Sequence, residues 1–163
     1  MTKNTTPSNL ELKKVYIKDV SFESPNAPLI FTQTGGPQPT IDMQVAMENS
    51  LLEDNEDFYE VVLKVTITAK TDDNVAFLVE VEQAGVFLLQ HAEEEKMNIM
   101  KEVACPHILL PFAREEINSL VTKGGFQPLL ISPINFEALY MRKLNENTTE
   151  SQPEQAESST TTH

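Results

Sequence analysis

The sequence predicts an α+β fold, a four-stranded antiparallel sheet packed with a long helix and a C-terminal helix. Three observations carry this prediction. Apolar and polar residues alternate with period two through the first half of the chain. Stretches with helical apolar spacing, punctuated by Pro and Gly, fill the second half. Strands followed by helices, with no internal repeat, give a segregated fold rather than alternating βαβ units. A length of 163 residues suits one domain.

The first strand is expected over Leu10–Glu23, rich in β-branched and aromatic residues, with Tyr16, Val20 and Phe22 on one face and Asp19, Ser21 and Glu23 on the other. Pro25, Pro28, Pro37, Pro39 and the Gly35-Gly36 pair then make 24–39 a long irregular connection, and loops of that length are usually functional or disordered. Ile41, Met43, Val45 and Met47 alternate with Asp42, Gln44 and Ala46 as a half-buried strand, ended by a polar, acidic break over 48–57. The clearest strand follows, with Tyr59, Val61, Leu63, Val65, Ile67 and Ala69 on its apolar face. Thr71-Asp72-Asp73-Asn74 reads as a hairpin turn. The fourth strand has Val75, Phe77, Val79 and Val81 on one face and Leu78, Glu80 and Glu82 on the other.

A short helix is expected over 92–104. A longer one runs over 106–123, with Pro106 near its start, Gly124 at its end and Pro111 able to distort its first turns. A short extended run, Leu129-Leu130-Ile131, leads to a last helix with Ser132 as cap and Pro133 at its first position. Residues 1–9 are expected to be disordered, and 10–144 to form the folded domain. Residues 145–163, polar apart from Ala156, are expected to be a flexible acidic tail that buries too little to offset its ordering entropy.

Twelve basic residues face 25 acidic ones, for a net charge of −13, which repels phosphate backbones, argues against nucleic acid and attracts basic partners. One cysteine, Cys105, excludes an intramolecular disulfide, and no Cys/His set has zinc spacing. No secretory signal and no run of about 18 apolar residues is visible, so a cytoplasmic protein without membrane insertion is expected.

Little in the sequence suggests catalysis. His91 precedes the Glu93-Glu94-Glu95 run, which reads as a solvated, acidic helix start rather than a metal site. Cys105 and His107 are spaced two apart and so do not share a helix face as nucleophile and base. No phosphate loop, dinucleotide fingerprint or nucleophile elbow occurs, so neither an enzyme nor a cofactor is expected. Two features remain. Ile30 and Phe31 in the Pro/Gly loop, the strand Ile41-Met43-Val45-Met47, and Phe136, Leu139 and Tyr140 of the last helix are apolar and include adaptable Met, which suits promiscuous binding as well as an ordinary core. Asp19 and Glu23, and Glu80 and Glu82, cluster on strand faces that together would make a flat acidic surface or a plainly solvated one.

Several blocks, in one order, resemble the SecB family of export chaperones. They are 16–28 (YIKDVSFESPNAP), 59–69 (YEVVLKVTITA), 76–81 with 85–87 (AFLVEV, GVF), 105–115 (CPHILLPFARE), and 126–129 with 133–140 (FQPL, PINFEALY). The resemblance runs from Tyr16 to Leu144. It implies an ATP-independent holdase for unfolded secretory precursors, assembled as a homotetramer that is a dimer of dimers. It implies a client groove lined by Phe31, Ile41, Met43, Val45, Phe136 and Tyr140, which takes long unfolded segments by apolar contact and backbone pairing. It also implies delivery to the motor SecA, whose basic, zinc-containing tail would meet Asp19, Glu23, Leu78 and Glu80, the zinc belonging to the partner. The alternative within the family is a paralogue with a narrow client set, such as a toxin–antitoxin chaperone. The chain departs from the family in having no tryptophan, with Pro37 where well-known members carry one, and in the segment 92–104, which matches poorly.

Overall fold

The computed structural model describes residues 7–33, 35 and 38–150. The chain forms one antiparallel sheet of β1 (Asn9–Glu23), β2 (Thr40–Leu51), β3 (Phe58–Thr71) and β4 (Asn74–Gln90), in the order β1-β4-β3-β2. That order explains the long connection after Glu23. β1 and β2 are opposite edges, so the chain crosses the end of the sheet, about 14 Å at ~4.8 Å per strand. A short 3₁₀ turn, Leu29–Thr32, lies within the crossing. Ser24 Oγ donates to the Ala76 carbonyl at 2.9 Å and Asn26 Nδ2 to the Val75 carbonyl at 2.8 Å, which pins the crossing to the start of β4. Asp72, at φ 52°, makes the tight β3–β4 turn, a conformation that Asp tolerates.

Two strand readings are corrected by bulges. The β1–β4 register skips Lys13 and Lys18. A one-residue shift reverses every side chain beyond it. Tyr16 therefore lies on the face of Asp19, Ser21 and Glu23, not with Val20 and Phe22, and its hydroxyl bonds to Glu60 across β4. A shift between Ala69 and Lys70 likewise pairs Val75 with Lys70 and separates it from the face of Phe77. β2 also runs on to Leu51, past the start of the polar break at which it was expected to stop, and β4 continues to Gln90.

The helical half lies on one face of the sheet. α1 (Glu94–Ile99) continues through a π-helical turn (Met100–Ala104) into α2 (Cys105–Lys123), so the two helices expected from the sequence form one rod. The π turn sits immediately before Pro106, which has no N–H to give the Glu102 carbonyl, and such widened turns accommodate that loss. Leu109, Ala113, Ile117 and Val121, spaced one turn apart, are buried against Val61, Leu63, Val65 and Ile67 of β3 and Val79, Val81 and Phe87 of β4. Gly85 lets the rod approach closely, since a Cβ there would meet Leu109 at 3.0 Å and the Phe87 ring at 2.8 Å.

After α2 the chain turns at Gly125, with φ +90°. The stretch Leu129–Ile131 joins no sheet. The Asn118 amide brackets Leu129 instead, accepting from its N–H at 2.8 Å and donating to its carbonyl at 3.2 Å. The last helix, α3 (Phe136–Glu150), starts later than Ser132 and Pro133 suggested. Asn135 Oδ1 accepts the Ala138 N–H at 3.0 Å and is the residue that caps it. α3 extends through 145–150, residues that the sequence placed in the tail. Residues 1–6, 34, 36–37 and 151–163, where the remaining disorder and loop expectations fall, lie outside the described residues. Among the described residues no helix is long and apolar enough to cross a membrane.

Candidate functional surfaces

The outer face of the sheet, away from the helices, is built by strand parity. Pairing sets Glu23 beside Leu78, Ser21 beside Glu80, and Asp19 beside Glu82. The four residues expected to meet a basic partner, Asp19, Glu23, Leu78 and Glu80, therefore share one face, together with Glu82. The carboxylates of Asp19, Glu80 and Glu82 lie within 4.8 Å of one another. Lys64 of β3 reaches into this group, 3.0 Å from Glu80 and 3.3 Å from Glu82, and Thr66 Oγ1 donates to Glu80 at 3.2 Å. The ammonium of Lys64, then the Thr66 hydroxyl, hold the Glu80 carboxyl below its ordinary range, while hydrogen bonds to Glu80 and Glu82 raise Lys64. One cation among three carboxylates leaves this patch net negative, which suits recognition of a basic segment.

Further along the same face, Lys18 Nζ lies 2.5 Å from Glu60, whose other oxygen accepts the Tyr16 hydroxyl. Lys18, then Tyr16, depress the Glu60 carboxyl, and burial, then the bond to Glu60, push Tyr16 up to about 12. Glu60 is thus committed within the molecule, and Asp19, Glu23 and Leu78 remain as the open part of the face.

The opposite face is apolar at its β2 edge. Ile41, Met43 and Val45 pair with Ala69, Ile67 and Val65 and point to the helical side, yet Ile41 keeps 42% and Met43 38% of its surface exposed. The reason is geometric: α2 lies over β4 and β3, and the edge strand extends past it. Phe31, half exposed, joins Ile41, Phe77 and Phe126 in a depression of about 510 Å³ beneath the crossing. Its aromatic lining is continuous, with Phe31–Phe126 and Phe77–Phe126 ring centroids 5.1 and 4.9 Å apart. Large, partly exposed apolar surface of this kind is what an unfolded chain can bury against.

The two remaining groove candidates lie elsewhere. Phe136 is 2% exposed and belongs to the core, with its ring edge-on to His107. Tyr140 lines a second depression of about 360 Å³, between α3 and the α1 end of the rod, with Ile99, Val103, Met141 and Leu144. Sequence reasoning missed Phe126, Ile99 and Met141. Phe126 carried a signal, an aromatic directly after Gly124-Gly125, whereas Ile99 and Met141 read as ordinary helix positions. Cys105 is fully buried, and burial pushes its thiol up to about 12, so no thiolate nucleophile stands beside the exposed His107.

Comparison with known proteins adds lineage to this geometry. A family model described as preprotein translocase subunit SecB matches residues 3–147. The chain is 48% identical over 132 residues to the protein-export protein SecB of Nitrosococcus oceani, covering 81% of this chain and 79% of that one. It is 40% identical over 152 residues to the protein-export protein SecB of Nitrosospira multiformis, covering 93% of each. A solved structure of a SecB-like chaperone of Mycobacterium tuberculosis, in complex with a ChAD peptide from the HigA1 antitoxin, matches with a TM-score of 0.63 at 13% identity, covering 77% of this chain and 90% of that one. That last likeness is one of fold.

Proposed function

The chain belongs to the SecB family, and on that premise we propose that it is an ATP-independent holdase that keeps unfolded secretory precursors competent for export and delivers them to SecA. The observation that carries this reading is the separation of the two surfaces. The exposed apolar edge of β2 and the acidic patch occupy opposite faces of one sheet, so a client and a basic partner can be held together. The relatives at 40–48% identity carry the export name, which favours a general export role over a narrow client set.

In the mechanism, an unfolded segment lies along Ile41, Met43 and Val45 and places side chains in the depression at Phe31. No nucleotide is needed, because each contact is apolar and reversible. A homotetramer, arranged as a dimer of dimers, presents several such grooves to one chain, and linkage raises the effective concentration of each further segment. Ile17 and Val20 on β1, and Phe112 on α2, are large apolar side chains left exposed and support such an assembly. The zinc-containing basic tail of SecA approaches Asp19, Glu23, Leu78 and Glu80, where charge speeds encounter and Leu78 adds an apolar contact. Both steps take place in the cytoplasm. A double variant, Asp19→Ala with Glu80→Lys, is expected to weaken SecA binding at least tenfold at low salt while client affinity stays within twofold. Unchanged affinity for SecA in that variant removes this face from the assignment.

A further inference from the structure

Glu102 is a charged residue in the wrong place for an ordinary core. It sits in the π turn between α1 and α2 and is 8% exposed. Its Oε1 accepts from Asn49 Nδ2 of β2 at 3.0 Å and from Lys143 Nζ of α3 at 2.9 Å, while its Oε2 is buried without a partner. Burying a carboxylate costs stability unless it is paired and fully hydrogen-bonded, and an apolar residue of similar size would fill this position more cheaply. What the carboxylate adds is direction, since it joins three elements at one atom.

One of those elements needs it. Among its described side chains α3 buries only Phe136, with Leu139 and Tyr140 half-buried and the rest exposed. Leu139 packs against the core one turn after Phe136, so the start of α3 is held by apolar contact and its far end is not. Lys143 is about two turns, or roughly 10 Å, beyond Phe136 and supplies a second fixed point. Between the two stands Tyr140, and on either side of Lys143 stand Met141 and Leu144, which face Ile99 and Val103 across the second depression.

We infer that Glu102 is a positioning residue for client binding: with Asn49 and Lys143 it latches α3 to the edge of the sheet and sets the position of the Tyr140 wall. This rests on the reading of Tyr140 as part of the client groove. Lys143 is half exposed, so its substitution leaves the core intact and is the cleaner test. Lys143→Met leaves the buried Glu102 carboxylate with Asn49 alone and is expected to speed amide hydrogen exchange in 139–150 by at least about threefold to fivefold, and leave β3 and β4 unchanged. It is expected to weaken binding of a reduced, carboxymethylated, permanently unfolded protein by a similar factor. Lys143→Arg, which keeps charge and reach, is expected to behave as the parent in both assays. Unchanged exchange in α3 of Lys143→Met overturns the latch, and faster exchange with unchanged client affinity overturns the positioning role. A parent protein that does not bind the unfolded probe overturns the client-groove reading and the positioning role together, while the exchange result still reports on the latch.

Discussion

Met43 is the sharpest place to perturb the client surface. It is paired with Ile67 of β3, flanked on its face by Ile41 and Val45, and 38% of it is still exposed. Fully burying a methionine contributes about 1.5–3 kcal/mol, so the exposed fraction leaves roughly 0.6–1.2 kcal/mol for a bound client to gain. Met43→Asp forfeits that gain and adds the cost of covering an unpaired carboxylate, about 1–3 kcal/mol. The sum, about 2–4 kcal/mol at one groove, corresponds to a loss of roughly 30-fold or more in affinity. The buried remainder of the side chain is lost in the same variant, so folding stability is expected to fall by about 1–2 kcal/mol. The assay is fluorescence anisotropy with a short labelled unfolded segment, which reads one groove without avidity, beside thermal melting of each variant. Met43→Leu, which conserves volume, is expected to bind within about twofold of the parent. Parent-like affinity in a folded Met43→Asp protein refutes the placement of the groove along β2.

Other expectations follow from the packing and the titrating groups. Gly85→Ala places a methyl 2.8 Å from the Phe87 ring and 3.0 Å from Leu109, so urea unfolding is expected to show a loss of about 1–3 kcal/mol, and an unchanged midpoint contradicts the close approach of rod and sheet. Cys105 has its folded-state thiol pushed from 9.0 to about 12. Above pH 9 the unfolded chain loses a proton that the native state keeps, so stability falls with rising pH between about 9 and 12, by up to ~1.4 kcal/mol per unit. The decline is expected to be shallower in Cys105→Ala, and an equal slope in both proteins contradicts it. Tyr16, pushed up to about 12 from 10.0, acts in the same direction above pH 10, and Tyr16→Phe is expected to remove that part of the decline in the same urea series.

Much of this architecture was legible because the two central strands, β3 and β4, each bury one face. β3 alternates apolar and polar from Leu63 to Lys70, and the positions of its apolar face include the core residues Val61, Leu63, Val65 and Ile67. Parity alone also placed Asp19 with Glu23, and Glu80 with Glu82, and pairing joined the two sets. The bulges at Lys13, Lys18 and Ala76 were not legible, because an extra residue is defined by the partner strand and leaves no local mark. Tyr16 was misplaced for that reason. The α3 start was ambiguous, since Ser132-Pro133 and Asn135 are both competent caps. Burial of Phe136 fits the later start, because it is the helix's first residue and its anchor in the core. The same burial separates Phe136 from the exposed candidates, a distinction that sequence cannot make for a single aromatic. The contacts of Glu102 with Asn49 and Lys143 join residues far apart in the chain, and nothing in the order of residues announces them.

The most direct test of the account is the holdase activity itself. A secretory precursor is diluted from denaturant into buffer with purified protein and no ATP, and light scattering is followed, with natively folded precursor as the binding control. Scattering is expected to be suppressed, and folded precursor is expected to be ignored. Scattering that rises as it does without the protein contradicts general export chaperoning for this chain.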